Sequence, residues 1–329
     1  MRRTEQLLLG TACAAIGLQL GTLWAAARPR PSSTGQLPLP PPGLPPGRVV
    51  AVPGRGEFFV REAAGPSPDA PTVVLAHGWM FPADLHWFRC YGPLSESYRV
   101  IAMDHRGHGR GLRAAEPFRL VDVADDIAAL LAHLETPPVV AVGYSMGGPI
   151  AQLLWQRHPG LVRGLVLCAS SAHFNEELRD RLVWRGMGLL QIGLRLLPRH
   201  WMEQLVHWQA SGRLPVRVTR MLEPHPSADM LELLPWMIGE FDRDSAEDVA
   251  EAGRELSRYD ARGWLPTVDV PTAVLITTRD QLVPVERQRA MAASIRDAGV
   301  TELDLDHDGA VAGADVFVPA LLKAIAEVC

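Results

Sequence analysis

The segment at residues 142–148 (VGYSMGG) constrains the fold of this chain more than any other part of its sequence. It follows an apolar run at 138–142 that is typical of a buried strand, and it precedes residues 149–155, whose pattern indicates a helix. Glycines two residues before and two after Ser145 let a strand and a helix approach closely. We expect Ser145 to lie in a strained turn between them with its hydroxyl exposed, although a simple Gly-rich turn would give the same pattern.

The hydropathy pattern on both sides of this segment predicts an α/β fold with a mostly parallel central sheet. Short apolar or alternating runs indicate strands at 48–52, 57–62, 71–76, 98–103, 138–142, 161–169, 271–277 and 301–305. Helical spacing indicates helices at 82–91, 120–134, 149–155, 285–298 and 316–328. Such alternation places functional residues at the carboxyl ends of the strands.

Between residues 171 and 262 the alternation stops, and the sequence predicts a helical cap inserted after the sixth strand. The region is rich in large apolar residues, namely Trp184, Met187, Trp201, Met202, Trp208, Met221, Met230, Trp236 and Met237. These side chains could line an adaptable apolar pocket, or they could pack the cap onto the sheet.

The first 27 residues indicate a membrane anchor or a signal segment. Residues 7–27 form a segment without charged side chains that is long enough to span a bilayer. The alanines at 25–27 would suit a signal peptidase. A buried soluble helix is a third possibility. Residues 28–47 are a Pro-rich linker that favours a semi-rigid spacer. The folded domain is therefore expected at 48–329.

Charge and cysteine content exclude some classes of function. The formal net charge is −5, and the folded part has no cluster of Lys and Arg, which argues against a nucleic-acid surface. The four cysteines have no paired spacing, so neither a disulfide framework nor a zinc site is expected. We expect no cofactor and no metal.

Two later residues can assist a nucleophilic serine. Acyl transfer requires a base that accepts the hydroxyl proton, a carboxylate that orients the base, and N–H donors that face the developing negative charge. Asp280 follows the predicted strand 271–277, and His307 follows the predicted strand 301–305. The order Ser145, Asp280, His307, each just past a strand, is the order expected along the carboxyl edge of an α/β sheet.

With these residues in place, the sequence from about residue 49 to its end resembles the α/β-hydrolase superfamily, in the branch of capped serine esterases and lipase-like enzymes. The motifs that carry the resemblance are HGW at 77–79, DHRGHG at 104–109, GYSMGG at 143–148, Asp280 with VP at 283–284, and His307. The resemblance implies that Ser145 is the nucleophile, His307 the base and Asp280 the orienting acid. It also implies that the backbone N–H groups of Trp79 and Met146 form the oxyanion hole. Serine at position 145 argues against the dehalogenases and epoxide hydrolases of the superfamily, which have aspartate there.

Other roles can be considered for some residues. His105 and His108 could bind a metal together with His77, but they lie among glycines in an expected turn. Residues 304–315 match the spacing of a calcium loop through Asp304, Asp306, Asp308, Gly309 and Asp315, although no helix is expected to enter it. Asp269 or Asp260 could replace Asp280, but neither follows a predicted strand.

The sequence thus predicts a serine hydrolase that cleaves small carboxylic esters with an apolar part through an acyl-Ser145 intermediate. Hydrolysis of a carbon–carbon bond and cofactor-free peroxidation are alternatives, because the superfamily carries out both on the same triad. A ligand-binding homologue without catalysis is an alternative of another class. Residues 7–27 predict association with a membrane, and export after signal cleavage is the alternative.

Overall fold

The computed structural model describes residues 40–175, 236, 240 and 243–329. The predicted anchor or signal segment, residues 28–39 of the Pro-rich linker and most of the predicted cap lie outside the described residues. Within the described ranges, no helix has the length and apolar character needed to cross a membrane.

Eight strands form one sheet in the described part of the chain, in the order β1-β2-β4-β3-β5-β6-β7-β8. Strands β1 and β2 form a hairpin, β2 pairs antiparallel with β4, and every other neighbouring pair is parallel. This confirms the predicted α/β fold with a mostly parallel sheet. The strands are β1 (Gly47–Val52), β2 (Gly56–Ala63), β3 (Thr72–Ala76), β4 (Arg99–Met103), β5 (Val139–Tyr144), β6 (Val162–Cys168), β7 (Thr272–Thr277) and β8 (Gly299–Leu303).

Helices cover both faces of the sheet, and the alternation of side chains along each strand divides the core between them. On β3, for example, Val74 faces one apolar cluster and Val73 faces the other. The first cluster takes residues from α3 (Leu120–His133), α4 (Gly147–Arg157), α5 (Ala246–Leu256) and α6 (Val285–Ser294). The second takes residues from α1 (Ala83–Trp87), α2 (Tyr91–Ser95), α7 (Gly309–Ala312) and α8 (Ala314–Val328). Burial on both faces explains why the parallel strands have continuous apolar sequences.

Several predicted boundaries were wrong. The helix expected at 82–91 is divided into α1 and α2. Pro93 is tolerated in the first turn of α2, but in one continuous helix its ring would clash with the carbonyl of the preceding turn. The helix expected at 285–298 ends at Ser294, where Ile295 takes an extended conformation and is buried. The last strand runs from Gly299 to Leu303 rather than over 301–305, because the chain turns after Leu303, where the N–H of Leu305 donates to Leu303 O at 2.8 Å.

The predicted insertion leaves and rejoins the sheet at one place. His173, just after β6, forms an isolated bridge with Asp260, and the N–H of Ala261 donates to the carbonyl of Ala172 at 2.8 Å. Between these points the structure describes α5, which packs against the cluster formed by α3 and α4. The insertion therefore begins and ends at the carboxyl edge of the sheet, where the candidate site lies.

Candidate active site

Ser145 occupies the sharp turn between β5 and α4. Its backbone φ is 54°, in the left-handed region that residues with a side chain rarely adopt. The turn is fixed by hydrogen bonds at both of its ends, because the N–H of Ser145 donates to Cys168 O at 2.9 Å and the Ser170 hydroxyl donates to Ser145 O at 2.8 Å. The strained conformation is thus imposed by the strand and loop beside it.

Two glycines allow this turn to pack against the sheet. A Cβ atom on Gly143 would lie 2.2 Å from the carbonyl oxygen of Gly147, and one on Gly147 would lie 2.0 Å from the carbonyl oxygen of Ala76. Both contacts are with backbone atoms, which cannot rotate away as a flexible side chain could. The spacing of glycines around Ser145 therefore reflects a real close approach of β3, β5 and α4.

The structure brings the three predicted triad residues together. The Ser145 hydroxyl lies 2.9 Å from His307 Nε2, and His307 Nδ1 lies 2.7 Å from Asp280 Oδ2. Ser145 is 7% exposed and Asp280 is 8% exposed, so the two hydrogen bonds that link them through His307 are largely shielded from water. With Nδ1–H donating to Asp280, His307 Nε2 is free to accept the serine proton, which is the arrangement required of a general base.

The surroundings of Asp280 keep its carboxylate ionised. Burial raises the pKa of Asp280, but the positive charge that His307 can carry and several hydrogen bonds outweigh burial and bring the pKa below its ordinary value. Besides His307, the carboxylate accepts from the backbone N–H groups of Leu282 at 2.9 Å and Val283 at 2.8 Å. An ionised Asp280 can therefore hold His307 in the required tautomer.

Two further residues, which the sequence did not single out, support Asp280. The Thr277 hydroxyl donates to Asp280 Oδ2 at 2.8 Å, and Gln288 Nε2 donates to the same oxygen at 3.1 Å. Gln288 is fully buried and also accepts from the N–H of Thr277 at 3.0 Å. Thr277 ends a predicted strand and could have been considered, whereas nothing in the sequence marks Gln288 on its helix.

Tyr144, which directly precedes the nucleophile, also fixes the position of His307. The Tyr144 hydroxyl donates to the backbone oxygen of His307 at 2.6 Å, and the two rings are 5.9 Å apart between centroids. The loop that carries His307 is thereby tied to the end of β5. A tyrosine beside a nucleophilic serine gave no specific signal in the sequence.

The predicted oxyanion donors are close to Ser145, since Met146 directly follows it and Trp79 follows a residue that packs against it. Met146 is the residue before α4 and is fully buried, so its N–H belongs to the positive end of that helix. Trp79 follows Gly78, whose Cβ position would be 3.3 Å from Ser145 Cβ. The indole of Trp79 donates to Val249 O of α5 at 2.6 Å, so the insertion fixes this loop. Their role as oxyanion donors stays a prediction.

The histidines of the two glycine-containing loops support the backbone near the site. His77 Nε2 accepts from the N–H of His105 at 2.9 Å, which puts its proton on Nδ1, and Nδ1 donates to Gly78 O at 2.8 Å. The two rings stack at 3.7 Å. Burial lowers the pKa of both rings well below the ordinary value, so they are neutral. In the described ranges, no group of three or more His, Cys, Asp or Glu side chains has a geometry that could hold a metal ion.

The geometry supports neither the calcium loop nor a substitute for Asp280. Residues 304–308 follow a strand and not a helix; Asp304 pairs with Arg279, and Asp306 accepts from the N–H of His307. Asp269 accepts from the Trp155 indole at 3.2 Å, and Asp260 forms an ion pair with Arg262 at 2.7 Å. His307 therefore has Asp280 as its carboxylate partner.

Comparison with known proteins places the chain in a broad group of related sequences. A family profile described as alpha/beta hydrolase fold matches residues 71–312. The chain is 29% identical to a pimeloyl-[acyl-carrier protein] methyl ester esterase of Chromobacterium violaceum, over 80% of this chain and 96% of that protein. It is 25% identical to 3-oxoadipate enol-lactonase 2 of Acinetobacter baylyi, over 78% of this chain and 90% of that protein.

Solved structures extend this likeness to the fold. The crystal structure of the enol-lactonase from Burkholderia xenovorans matches with a TM-score of 0.68 at 24% identity, covering 85% of this chain and all of that one. An esterase from Exiguobacterium antarcticum matches with the same TM-score at 21% identity. The range matched by the family profile includes the serine turn and the loops that bear Asp280 and His307.

Proposed function

Because the chain belongs to the α/β-hydrolase family, we propose that it is a serine hydrolase that cleaves small carboxylic esters through an acyl-Ser145 intermediate. The observation that carries the proposal is the continuous hydrogen-bonded path from the Ser145 hydroxyl through His307 to the buried carboxylate of Asp280. The ester-cleaving and lactone-cleaving relatives support the same class of substrate.

In the proposed reaction His307 Nε2 accepts the proton of Ser145 as the serine oxygen attacks the ester carbonyl. The positive charge formed on His307 is stabilised by Asp280, while the N–H groups of Trp79 and Met146 face the negative oxygen of the tetrahedral intermediate. The proton then passes from His307 to the departing alcohol. In the second half of the reaction His307 accepts a proton from the water that attacks the acyl group. It then returns a proton to Ser145 as the acid leaves.

An apolar part of the substrate is proposed from the side chains of the insertion and the adjacent loops. Among the described residues, Leu85, Phe88 and Trp236 form a separate apolar cluster that Phe81 joins. Phe81 follows the loop that contains Gly78 and Trp79, so this cluster borders the site. The three cluster residues are buried, whereas Phe81 is partly exposed, so an apolar acyl chain or alcohol would gain free energy by leaving water to contact Phe81.

Replacement of the nucleophile tests this function. Ser145→Ala removes the attacking oxygen, and we expect turnover of p-nitrophenyl esters to fall by about 10⁴-fold or more, since triad members act as a unit. Wild type is expected to be labelled by a fluorophosphonate probe, and Ser145→Ala is not. A Ser67→Ala variant is a matched control for labelling, because Ser67 is exposed in the loop between β2 and β3. Near-normal turnover by Ser145→Ala would contradict the proposal, and absence of labelling in wild type would favour a non-catalytic binding protein.

We further propose that residues 7–27 associate the protein with a membrane, on the strength of their uncharged sequence alone. The full-length chain is then expected to sediment with membranes, whereas a chain that starts near Arg48 remains in the supernatant. Equal recovery of both in the supernatant would contradict anchoring, and a full-length product shortened near residue 27 would favour an exported protein.

A further inference from the structure

His86 lies beside the triad but has no part in the reaction proposed above. It is on α1 and is 6% exposed. Its ring packs between those of Phe81 and Tyr144, with centroid distances of 5.3 and 5.2 Å. Because Tyr144 directly precedes Ser145, this contact puts a histidine ring next to the nucleophile.

The position of Gly78 shows which ring nitrogen faces the reacting groups. A Cβ atom on Gly78 would lie 2.9 Å from His86 Nε2 and 3.3 Å from Ser145 Cβ. His86 Nε2 and Ser145 Cβ therefore both pack against Gly78, whose lack of a side chain lets them lie this close to each other. Gly78 precedes Trp79, the proposed oxyanion donor, so Nε2 is close to the place where the substrate carbonyl would bind.

The two nitrogens of His86 differ in their surroundings. Nδ1 is completely buried, and neither nitrogen forms a hydrogen bond within the described ranges. Nε2, by contrast, is unpaired without being completely buried, in a side chain that is 6% exposed overall. Buried N–H groups without an acceptor are rare, because their desolvation is not compensated. The proton is therefore assigned to Nε2, which makes that atom a donor directed at the substrate space.

Electrostatics keep this donor neutral. Burial lowers the pKa of His86 to about 3, and the charges that His307 and His108 can carry contribute in the same direction. His86 consequently does not compete with His307 for the proton of Ser145. It is therefore a neutral N–H donor at neutral pH.

We propose, building on the serine hydrolase function above, that His86 is a specificity-determining residue that donates a hydrogen bond from Nε2 to a substrate oxygen beside the scissile ester. The preferred substrates then have an oxo, hydroxy or ether oxygen near the ester and are otherwise apolar. A purely hydrocarbon substrate would cover Nε2 without an acceptor, which costs free energy, whereas an oxygen in that position restores the bond lost from water.

Pairs of esters of equal size measure this preference. Ethyl acetoacetate and ethyl isovalerate differ by an oxo oxygen in place of a methyl group on the acyl side. Methoxyethyl butanoate and butyl butanoate differ by an ether oxygen on the alcohol side. For each pair, the ratio of kcat/KM values is divided by the ratio of the rates with hydroxide, which removes intrinsic reactivity. We expect wild type to favour the oxygen-containing ester of one pair by about tenfold after this correction.

Substitution assigns the preference to His86. His86→Phe keeps an aromatic ring but has no N–H, and we expect it to lose the tenfold preference while hydrolysing the hydrocarbon ester at least as well as wild type. His86→Gln retains an N–H donor and should keep part of the preference. His133→Phe, the same change at an exposed position in the last turn of α3, is the matched control and should leave the ratio unchanged.

Corrected ratios near one for both pairs in wild type would overturn the inference, and this measurement needs no variant to fold. An equal loss of activity on both members of a pair in His86→Phe would also overturn it, since His86 would then not select between substrates. Failure of the proposed function has a different signature, because Ser145 of wild type would then not react with the fluorophosphonate probe and neither ester would be cleaved.

Discussion

Ser145 and His307 reach the same point from regions that are held by different kinds of contact. The serine turn is held mainly by its backbone, through the N–H of Ser145 and through Gly143 and Gly147, which approach carbonyl oxygens so closely that no Cβ atom would fit; the Ser170 hydroxyl adds one side-chain bond. The loops that bear Asp280 and His307 are held by side chains, notably Thr277, Gln288 and Tyr144. One side of the site is therefore specified by the space available to the backbone, and the other by hydrogen-bond partners.

This difference decides how each side should respond to substitution. A change that adds volume in the serine turn has to move backbone atoms, so it is expected to disturb both stability and activity. A change that removes one hydrogen bond around Asp280 leaves the remaining bonds in place, so its effect should depend on how directly the lost bond acts on His307. Three variants test this expectation, beginning with the largest effect.

Asp280→Asn removes the carboxylate that His307 contacts. The amide cannot stabilise a positive charge on His307, and it can donate to Nδ1, which would favour the wrong tautomer. We expect kcat to fall by about 10³- to 10⁴-fold with the fold intact. Asp260→Asn is the control, because Asp260 is exposed and pairs with Arg262. A decrease of less than about tenfold for Asp280→Asn would mean that His307 does not depend on its carboxylate partner.

The pH dependence of stability offers a second measurement on the same variant. The pKa of Asp280 is below its ordinary value in the folded protein, so its ionised form contributes stability above the ordinary carboxyl pKa of about 4. That contribution is lost as the pH falls through the lowered pKa. The unfolding free energies of wild type and Asp280→Asn should therefore converge as the pH falls below the ordinary carboxyl pKa of about 4. A difference that does not change with pH would contradict the lowered pKa.

Gly147→Ala tests the backbone-held side. Its Cβ atom would lie 2.0 Å from Ala76 O, so β3 and the start of α4 must separate. We expect a loss of about 1–3 kcal/mol in unfolding free energy, as for overpacked cores. We also expect kcat to fall by about 100-fold, because a shift near 1 Å misplaces Ser145 relative to His307. Gly160→Ala adds the same methyl group where no atom lies within 4 Å and should change neither quantity. Normal activity in Gly147→Ala would show that the turn is not fixed by close packing.

The same difference explains which parts of the molecule the sequence predicts. Glycines at fixed spacing around Ser145 are required by close approach of the backbone, so the residue types themselves indicate the turn. Apolar strands predicted the sheet for a similar reason, since burial on both faces leaves little choice of residue type. The support of Asp280 by Gln288 depends on helix α6 meeting the end of β7, which only the folded structure shows. His86 likewise gave no signal, because its relation to Ser145 arises from the packing of α1 against Tyr144.

The boundaries that were wrong have the same origin. The last strand ends at Leu303 because the chain turns there, with the N–H of Leu305 donating to Leu303 O at 2.8 Å. Hydropathy along the segment does not show where the chain turns out of the sheet. The loops that bear Asp280 and His307 were nevertheless predicted at one edge of the sheet, because the loops after β7 and β8 open at the same edge whatever the exact strand boundaries.

The smallest expected effect comes from Gln288→Met, which keeps the length of the side chain but removes its donors and its acceptor. Asp280 Oδ2 would keep its bonds from His307 and Thr277 and lose only the one from Gln288. We expect kcat to fall by about tenfold with KM little changed, because a slightly displaced carboxylate orients His307 less well.

Gln152→Met separates this positioning role from a loss of folding stability. Gln152 is equally buried, and its amide contacts Met291 and Tyr259 rather than Asp280. Both substitutions leave buried polar partners unpaired, so both should lower the unfolding free energy by about 1–3 kcal/mol. Only Gln288→Met should lower kcat. If the two variants lost the same activity, Gln288 would act through stability alone, and the acid–base side of the site would depend on its packing as the serine turn does.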